Sequence, residues 1–273
     1  MKSNYGIYGA NEFAFGMMWG THGVRNLSVL KQADVRVAVD KAYIDMTPRT
    51  IDNLGLAFLD KIKKRSQDYD KKTDLLDLKQ KGIKTVKDWL ASELVEVFKN
   101  GVFNNNRHRN LCDGFITKFQ AAIGEINAFV GEHFPQGTKI DPNLITYGKA
   151  QKIVNMSFKY LYLFDDTFDE SGNCKYPQIF DHCHMAIDAN ILDWFKKNDK
   201  NSASNYSVTW SNMDYNEYKD AQKSIKSYCG QNSQSIQNSY WSAFPWTKSK
   251  PSFGDTTLPF YAEFYIFDMA INK

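Results

Sequence analysis

Two stretches of the chain carry side chains of types that can do chemistry together. The first, Gly148-Lys149-Ala150-Gln151-Lys152, opens a helical pattern; the second ends on Asp188, just ahead of another. A lysine amine beside a helix N-terminus is a nucleophile once it is desolvated and neutral, and a carboxylate near it can stabilise developing positive charge and move protons. Unpaired backbone N–H groups at the same helix start can hold a phosphate. The same residues carry plainer readings. Lys152 shares a polar stripe with Lys149, Asn155 and Lys159, which as a solvated face needs no function, and an aspartate before an apolar periodic run is commonly a helix cap.

His182, Cys183 and His184, with Cys174 upstream, are of zinc-ligand type, but adjacent residues rarely converge on one ion and the usual two-to-four-residue spacing is missing. No metal and no cofactor is expected. His184 reads first as a partly buried structural histidine and second as a base or phosphate contact. The clusters Lys61 to Arg65 and Arg107-His108-Arg109 have the charge and reach to touch phosphates, although such runs are commonly solvated.

The elements that must position these groups are mostly helical. Phe115, Ile116, Phe119, Ala122, Ile123, Ile126, Phe129 and Val130 recur at helical spacing. A second helix is expected from Asp88 as N-cap to Gly101 as the residue past its end, and a third from Thr50 through Ile62. Val35, Val37 and Val39 alternate with Arg36, Ala38 and Asp40, a pattern short enough to leave strand and helix both open. Pro142 and Gly148 bracket a turn, and from Gly148 onward Ala150, Ile153, Val154, Phe158 and Leu161 form an apolar face. Asn, Ser and Gln crowd Asn198 to Asn205 and Gly230 to Ser239, which predicts loops on either side of a short helix near Tyr215 to Tyr228. Pro259 suits the first turn of a closing helix that carries Phe260, Phe264 and Phe267.

Composition sets the outer bounds. With 273 residues, 42% apolar and 24% charged, the chain has ample material for its own core. A net charge of +3, from 34 basic against 31 acidic residues, neither demands nor excludes nucleic acid, so any basic surface must be local. The longest apolar run, Tyr160 to Phe164, is far short of a membrane span, and the first twenty residues lack a signal-peptide core. Four cysteines without a CxxC pair read as reduced thiols in a cytoplasmic protein.

At Gly148 to Lys152 the sequence resembles the helix-hairpin-helix DNA glycosylases, in particular the lysine-bearing 8-oxoguanine type and its archaeal branch. Their Gly-x-Gly-x-Lys signature is approximated by Gly148-Lys149-Ala150-Gln151-Lys152, and the helix Gln151 to Lys159 is similar to the archaeal version. Ala186-Ile187-Asp188 is similar to the family's Pro-[Val/Leu/Ile]-Asp element. The resemblance covers about residues 140–195. Alanine stands at the second hairpin glycine and at the proline, and Asp165 to Lys175 reads as an inserted polar loop.

The resemblance implies a mainly α, helix-hairpin-helix DNA glycosylase-like fold of two packed helical subdomains forming one unit over 1–273. It implies Lys152 as nucleophile at C1′ and Asp188 as catalytic carboxylate. Gly148, Lys149, Ala150 and Gln151 would grip the strand of a double-stranded DNA partner with a damaged or modified base, and the chain would act as a monomer. The flipped base needs aromatic walls, with Trp194, Phe164, Trp241 and Trp246 as candidates and His184 beside them. A different class remains open: a helical DNA-binding or protein-interaction module without catalysis, with a role in phage defence possible for either. A metal-dependent hydrolase built on scattered acids is a third reading.

Overall fold

A computed structural model describes residues 28–46, 69–134, 139–243 and 254–271. The expected helix from Thr50, the Lys61 to Arg65 cluster, Trp246 and the first twenty residues lie outside the described residues.

The described chain is mainly helical. Its elements are α1 (Gln32–Met46), α2 (Tyr69–Asn100), α3 (Asn105–His133), α4 (Tyr147–Tyr162), the one-turn α5 (Pro177–Phe180), α6 (Ala189–Asn198), α7 (Tyr215–Ala243) and α8 (Pro259–Ile271). Short 3-10 turns occur at Pro142–Leu144, Asp165–Thr167, Lys200–Tyr206 and Trp210–Asn212. No strand forms among the described residues; Phe168 and Cys174 make one isolated antiparallel bridge.

Helical spacing decides the open segment in α1: Val35, Ala38, Val39, Ala42, Tyr43 and Met46 form one buried stripe, so the Val35 to Val39 alternation is incidental. The expected start of α2 at Asp88 is corrected. Leu75 and Val86 carry the same buried stripe upstream, and Asp88 sits in mid-helix, where its carboxylate pairs with Arg36 of α1 and, at 2.8 Å, with Lys84. Asp88 ties two helices together and does not start one. The other end is as expected: Gly101 has φ +65°, the left-handed geometry that glycine adopts without a Cβ clash, and its N–H closes onto the carbonyl of Val97.

In α3 the predicted periodicity is present and begins earlier. Asn104 caps it by accepting from the N–H of Arg107, and His108, Leu111, Cys112, Phe115, Phe119 and Ile123 follow on the buried side. The predicted loop at Gly230 to Ser239 is corrected as well. Cys229, Ile236 and Tyr240 keep one side of α7 buried through the polar stretch, and only a kink at Asn232 (φ −122°, ψ 17°) marks it. Three buried residues spaced by two turns and one turn outweigh an unfavourable composition.

Packing falls into two groups. In the first, α1, α2, α3 and α4 lie against one another; in the second, α8 packs on α7 and α6. Helix α4 meets α7 and the turn at Trp210–Asn212, so it stands between the groups. A continuous apolar core runs from Val29 to Ile266. The start of α4 is fixed tightly. Thr146 caps it by accepting from Lys149, and its own hydroxyl donates to the carbonyl of Ser211 at 2.5 Å, while the N–H of Gly148 donates to Met213 at 3.0 Å.

A Cβ at Gly148 would fall 1.8 Å from the carbonyl oxygen of Trp210, a backbone atom that cannot rotate away. Gly148→Ala is therefore expected to push the 207–213 segment outward and to lower stability by roughly 1–3 kcal/mol or more. Urea unfolding together with tryptophan emission reads both effects; an unchanged midpoint and spectrum would contradict the assigned contact.

Candidate functional site

Lys152 lies in the second turn of α4 and Asp188 is the N-cap of α6, 36 residues later. The structure brings them together: Lys152 Nζ is 3.0 Å from Asp188 Oδ2, with the side chains 12% and 11% exposed. The other carboxylate oxygen, Oδ1, accepts from the N–H of Ile191. Capping fixes the carboxylate in one orientation, so the cap and the ion pair are two uses of one side chain rather than alternatives.

The segment that delivers Asp188 is irregular and wholly buried from Met185 to Asp188, so its backbone polar groups need partners. Side chains supply them. Gln151 accepts from Ile187 N and donates to the Ile187 carbonyl at 2.9 Å; Asn155 and Gln222 donate to the Met185 carbonyl; Glu263 of α8 accepts from Ala186 N at 2.8 Å. Glu263 in turn meets Lys159 Nζ at 2.7 Å, and this pair is 1–2% exposed. Burial pushes the Glu263 carboxyl above the usual carboxylate range, against the opposing pull of Lys159.

The polar stripe of α4 is thus turned inward, which corrects the solvated reading of Asn155 and Lys159. Both are 1% exposed. Gln151, Asn155 and Lys159, at i, i+4 and i+8, form a ladder against the buried segment.

The expected strand-gripping residues fall elsewhere. Gly148, Ala150 and Gln151 are interior, and the Gly148 N–H is already spent on Met213. Their placement in the core corrects the expectation that they grip a phosphate: Gln151 holds the 185–188 segment and Gly148 the 210–213 segment. Lys149 alone of the four keeps a half-buried ammonium, which donates to the Leu144 carbonyl and is pushed down by burial.

The aromatic expectations are also redistributed. Trp194 packs on Phe195 and Tyr228, and Phe164 is 2% exposed, so both fill the core and neither meets Lys152. Trp241, half-buried, packs on Tyr240. The aromatic that meets the lysine is Trp210, whose ring centroid lies 4.9 Å from Lys152 Nζ. The sequence signal for it was a lone tryptophan in Ser207-Val208-Thr209-Trp210-Ser211-Asn212.

His184 belongs to a different group. The two hydrogens of Asn155 Nδ2 are shared among Gln151 Oε1 and the Tyr218 hydroxyl, each at 3.0 Å, and the Met185 carbonyl at 3.2 Å, which leaves Asn155 Oδ1 to accept from His108 Nε2 at 2.8 Å. The Tyr218 hydroxyl then donates to His184 Nδ1 at 2.8 Å, and His184 Nε2 donates to Asn105 Oδ1 at 2.9 Å. This order of donors keeps the His184 imidazole neutral, since its Nδ1 accepts. Burial agrees, lowering His108 to about 4 and His184 well below its ordinary value. A cavity of about 300 Å³ lies beside this network, lined by His108, His184 and Tyr218; neither Lys152 nor Asp188 lines it.

A buried histidine with a lowered pKa contributes stability that is present above its unfolded value near 6.5 and is lost as pH falls through its folded value near 4. For His108 alone the loss is about 3 kcal/mol. Urea unfolding between pH 7 and 4 should show a shallower decline for His108→Gln, which keeps a donor for Asn155, than for the parent; parallel declines would contradict the buried neutral assignment.

All four cysteines are free thiols. Among the described residues no group of three His, Cys, Asp or Glu side chains converges as a metal site, and no helix is long and apolar enough to cross a membrane. Comparison with protein-family models, curated proteins and solved structures returned no match.

Proposed function

We propose that the chain is a DNA glycosylase of the lysine-nucleophile class, with the helix-hairpin-helix glycosylase-like arrangement that its 140–195 segment resembles. One observation carries the reading: the amine of Lys152 and the carboxylate of Asp188 meet at 3.0 Å, with the acid locked by its cap and the lysine beside Trp210. A duplex carrying a damaged or modified base would present the base flipped out of the stack. Lys152 Nζ then forms a bond to C1′ as the C1′–N bond breaks, and the electron pair leaves with the base, which takes a proton. The lysine attacks as the free amine, so its proton passes first to Asp188 Oδ2, the acceptor within reach. Asp188 then passes that proton to the departing base, and the carboxylate so restored stabilises positive charge on the sugar. The resulting Schiff base permits strand cleavage by β-elimination. The protein fits a repair role or one against foreign modified DNA.

The test is single-turnover base release from duplexes with oxidised, alkylated and otherwise modified bases, comparing the parent with Asp188→Asn. Asparagine caps a helix as well as aspartate, so the variant keeps the Ile191 contact and loses only the charge. Release is expected to fall by about 10²-fold or more at near-parental stability. Equal rates in the two proteins, or no release by the parent from any duplex, would overturn the proposal. The second reading, a helical module in which the pair is only a strut, draws on the fact that both side chains are close to nine-tenths covered; it predicts DNA binding without product.

A further inference from the structure

The cavity beside His184 is electrostatically one-sided. Lys219, Lys223 and Lys226, at i, i+4 and i+7 of α7, all line it, and none is paired with a described carboxylate. Its lining contains one acid, Asp181, whose Oδ1 already accepts from the Tyr261 hydroxyl at 2.7 Å. Two helices also begin on it: Asn105 is the first residue of the 29-residue α3 and Pro259 the first of α8, so two positive dipole ends face the same space. These charges have no protein partner among the described residues that would account for their convergence.

The rest of the wall has a different character. Tyr147 and Tyr215 meet edge to face with ring centroids 5.3 Å apart, and Arg109, which does not line the cavity, backs the Tyr215 ring at 4.1 Å. Tyr218, His184 and Gln222 form an uncharged polar floor, held rigid by the network described above. A volume of about 300 Å³ lies at the lower end of the range for small-ligand sites and is far too small for a polymer. An aromatic wall, neutral polar groups and a cationic rim match a planar ring joined to a single anionic group.

We propose that this cavity binds a free nucleoside 5′-monophosphate, with the base against Tyr215 and the phosphate at the Lys219, Lys223 and Lys226 rim. The site is separate from the Lys152–Asp188 pair, and the inference does not depend on the glycosylase reading. It is coupled to that pair mechanically, because Tyr218 and Gln222 contact both the cavity and the residues that hold the 185–188 segment.

The experiment is isothermal titration of the full chain carrying Lys152→Gln with AMP, GMP, CMP and UMP, with ribose 5-phosphate and inorganic phosphate as controls. Use of that variant keeps failure of this site distinct from failure of the catalytic reading. At least one nucleotide is expected to bind saturably and more weakly as salt rises. Affinity should fall about ten-fold or more in Lys223→Glu/Lys226→Glu, whose exposed positions leave the fold intact, and also in Tyr215→Ala. Three outcomes would overturn the proposal: no nucleotide binds at millimolar concentration, the charge-reversed variant binds as well as the parent, or inorganic phosphate binds as tightly as any nucleotide.

Discussion

Lys159→Met is expected to cost about 3–5 kcal/mol of folding stability, because it leaves the Glu263 carboxylate buried without its counter-ion. Glu263 is 2% exposed, and its Oε1 faces the Lys159 ammonium at 2.7 Å while Oε2 accepts from Ala186. Without the lysine, the folded-state pKa of Glu263 rises further above its unfolded value. A carboxyl raised in this way favours the fold below the unfolded pKa, and that advantage is lost as pH climbs through the folded pKa. The variant should therefore lose stability relative to the parent as pH rises from about 4 toward neutrality. In Lys159→Met/Glu263→Gln, which removes both charges and keeps an acceptor for Ala186, much of the loss should return. Urea unfolding of the three proteins at several pH values measures this; a single variant as stable as the parent at pH 7 would show that the pair is not an interior strut.

The same pair bears on the site because Ala186 is two residues before Asp188. A buried, irregular segment keeps one geometry only while its backbone groups are satisfied. Gln151, Asn155, Gln222 and Glu263 do this from three helices, so the position of the acid depends on the packing of α4 against α7 and α8.

Lys152→Gln is expected to abolish base release under single-turnover conditions, a fall of at least about 10³-fold, while stability falls by less than in Lys159→Met. The lysine is partly exposed and its neighbours are an acid that keeps its cap and a tryptophan face, so the fold does not rest on it. This separates it from Lys159, seven residues along the same helix and wholly interior. Glutamine reaches about as far and can still hydrogen-bond Asp188, but it has no nucleophilic amine. Residual release above one-tenth of the parental rate would assign the chemistry to another group, such as a water activated by Asp188.

Much of the frame was legible from spacing alone. The stripe Phe115 to Val130, the end at Gly101, the cap at Asp188 and the helix from Pro259 all follow from periodicity and end chemistry acting within a few residues. The misreadings share a physical cause. Asp88 bonds across to Arg36, the α7 stretch from Gly230 to Ser239 is held by burial of Ile236 and Tyr240, and the α4 stripe faces partners 63 and 104 residues away at Tyr218 and Glu263. Local rules assume that polar means solvated, and tertiary partners of that kind leave no mark on the local pattern. The site shows the same division: Lys152 and Asp188 were visible as types in plausible settings, whereas Trp210 and Glu263 became part of it only through the fold.

The most direct measurement of the central claim is borohydride reduction of the full chain mixed with modified-base duplexes, followed by peptide mapping of any protein cross-linked to DNA. A covalent adduct is predicted at Lys152 and should be lost in Lys152→Gln. An adduct mapped to another amine, or none on any duplex from which the parent releases a base, would contradict the account.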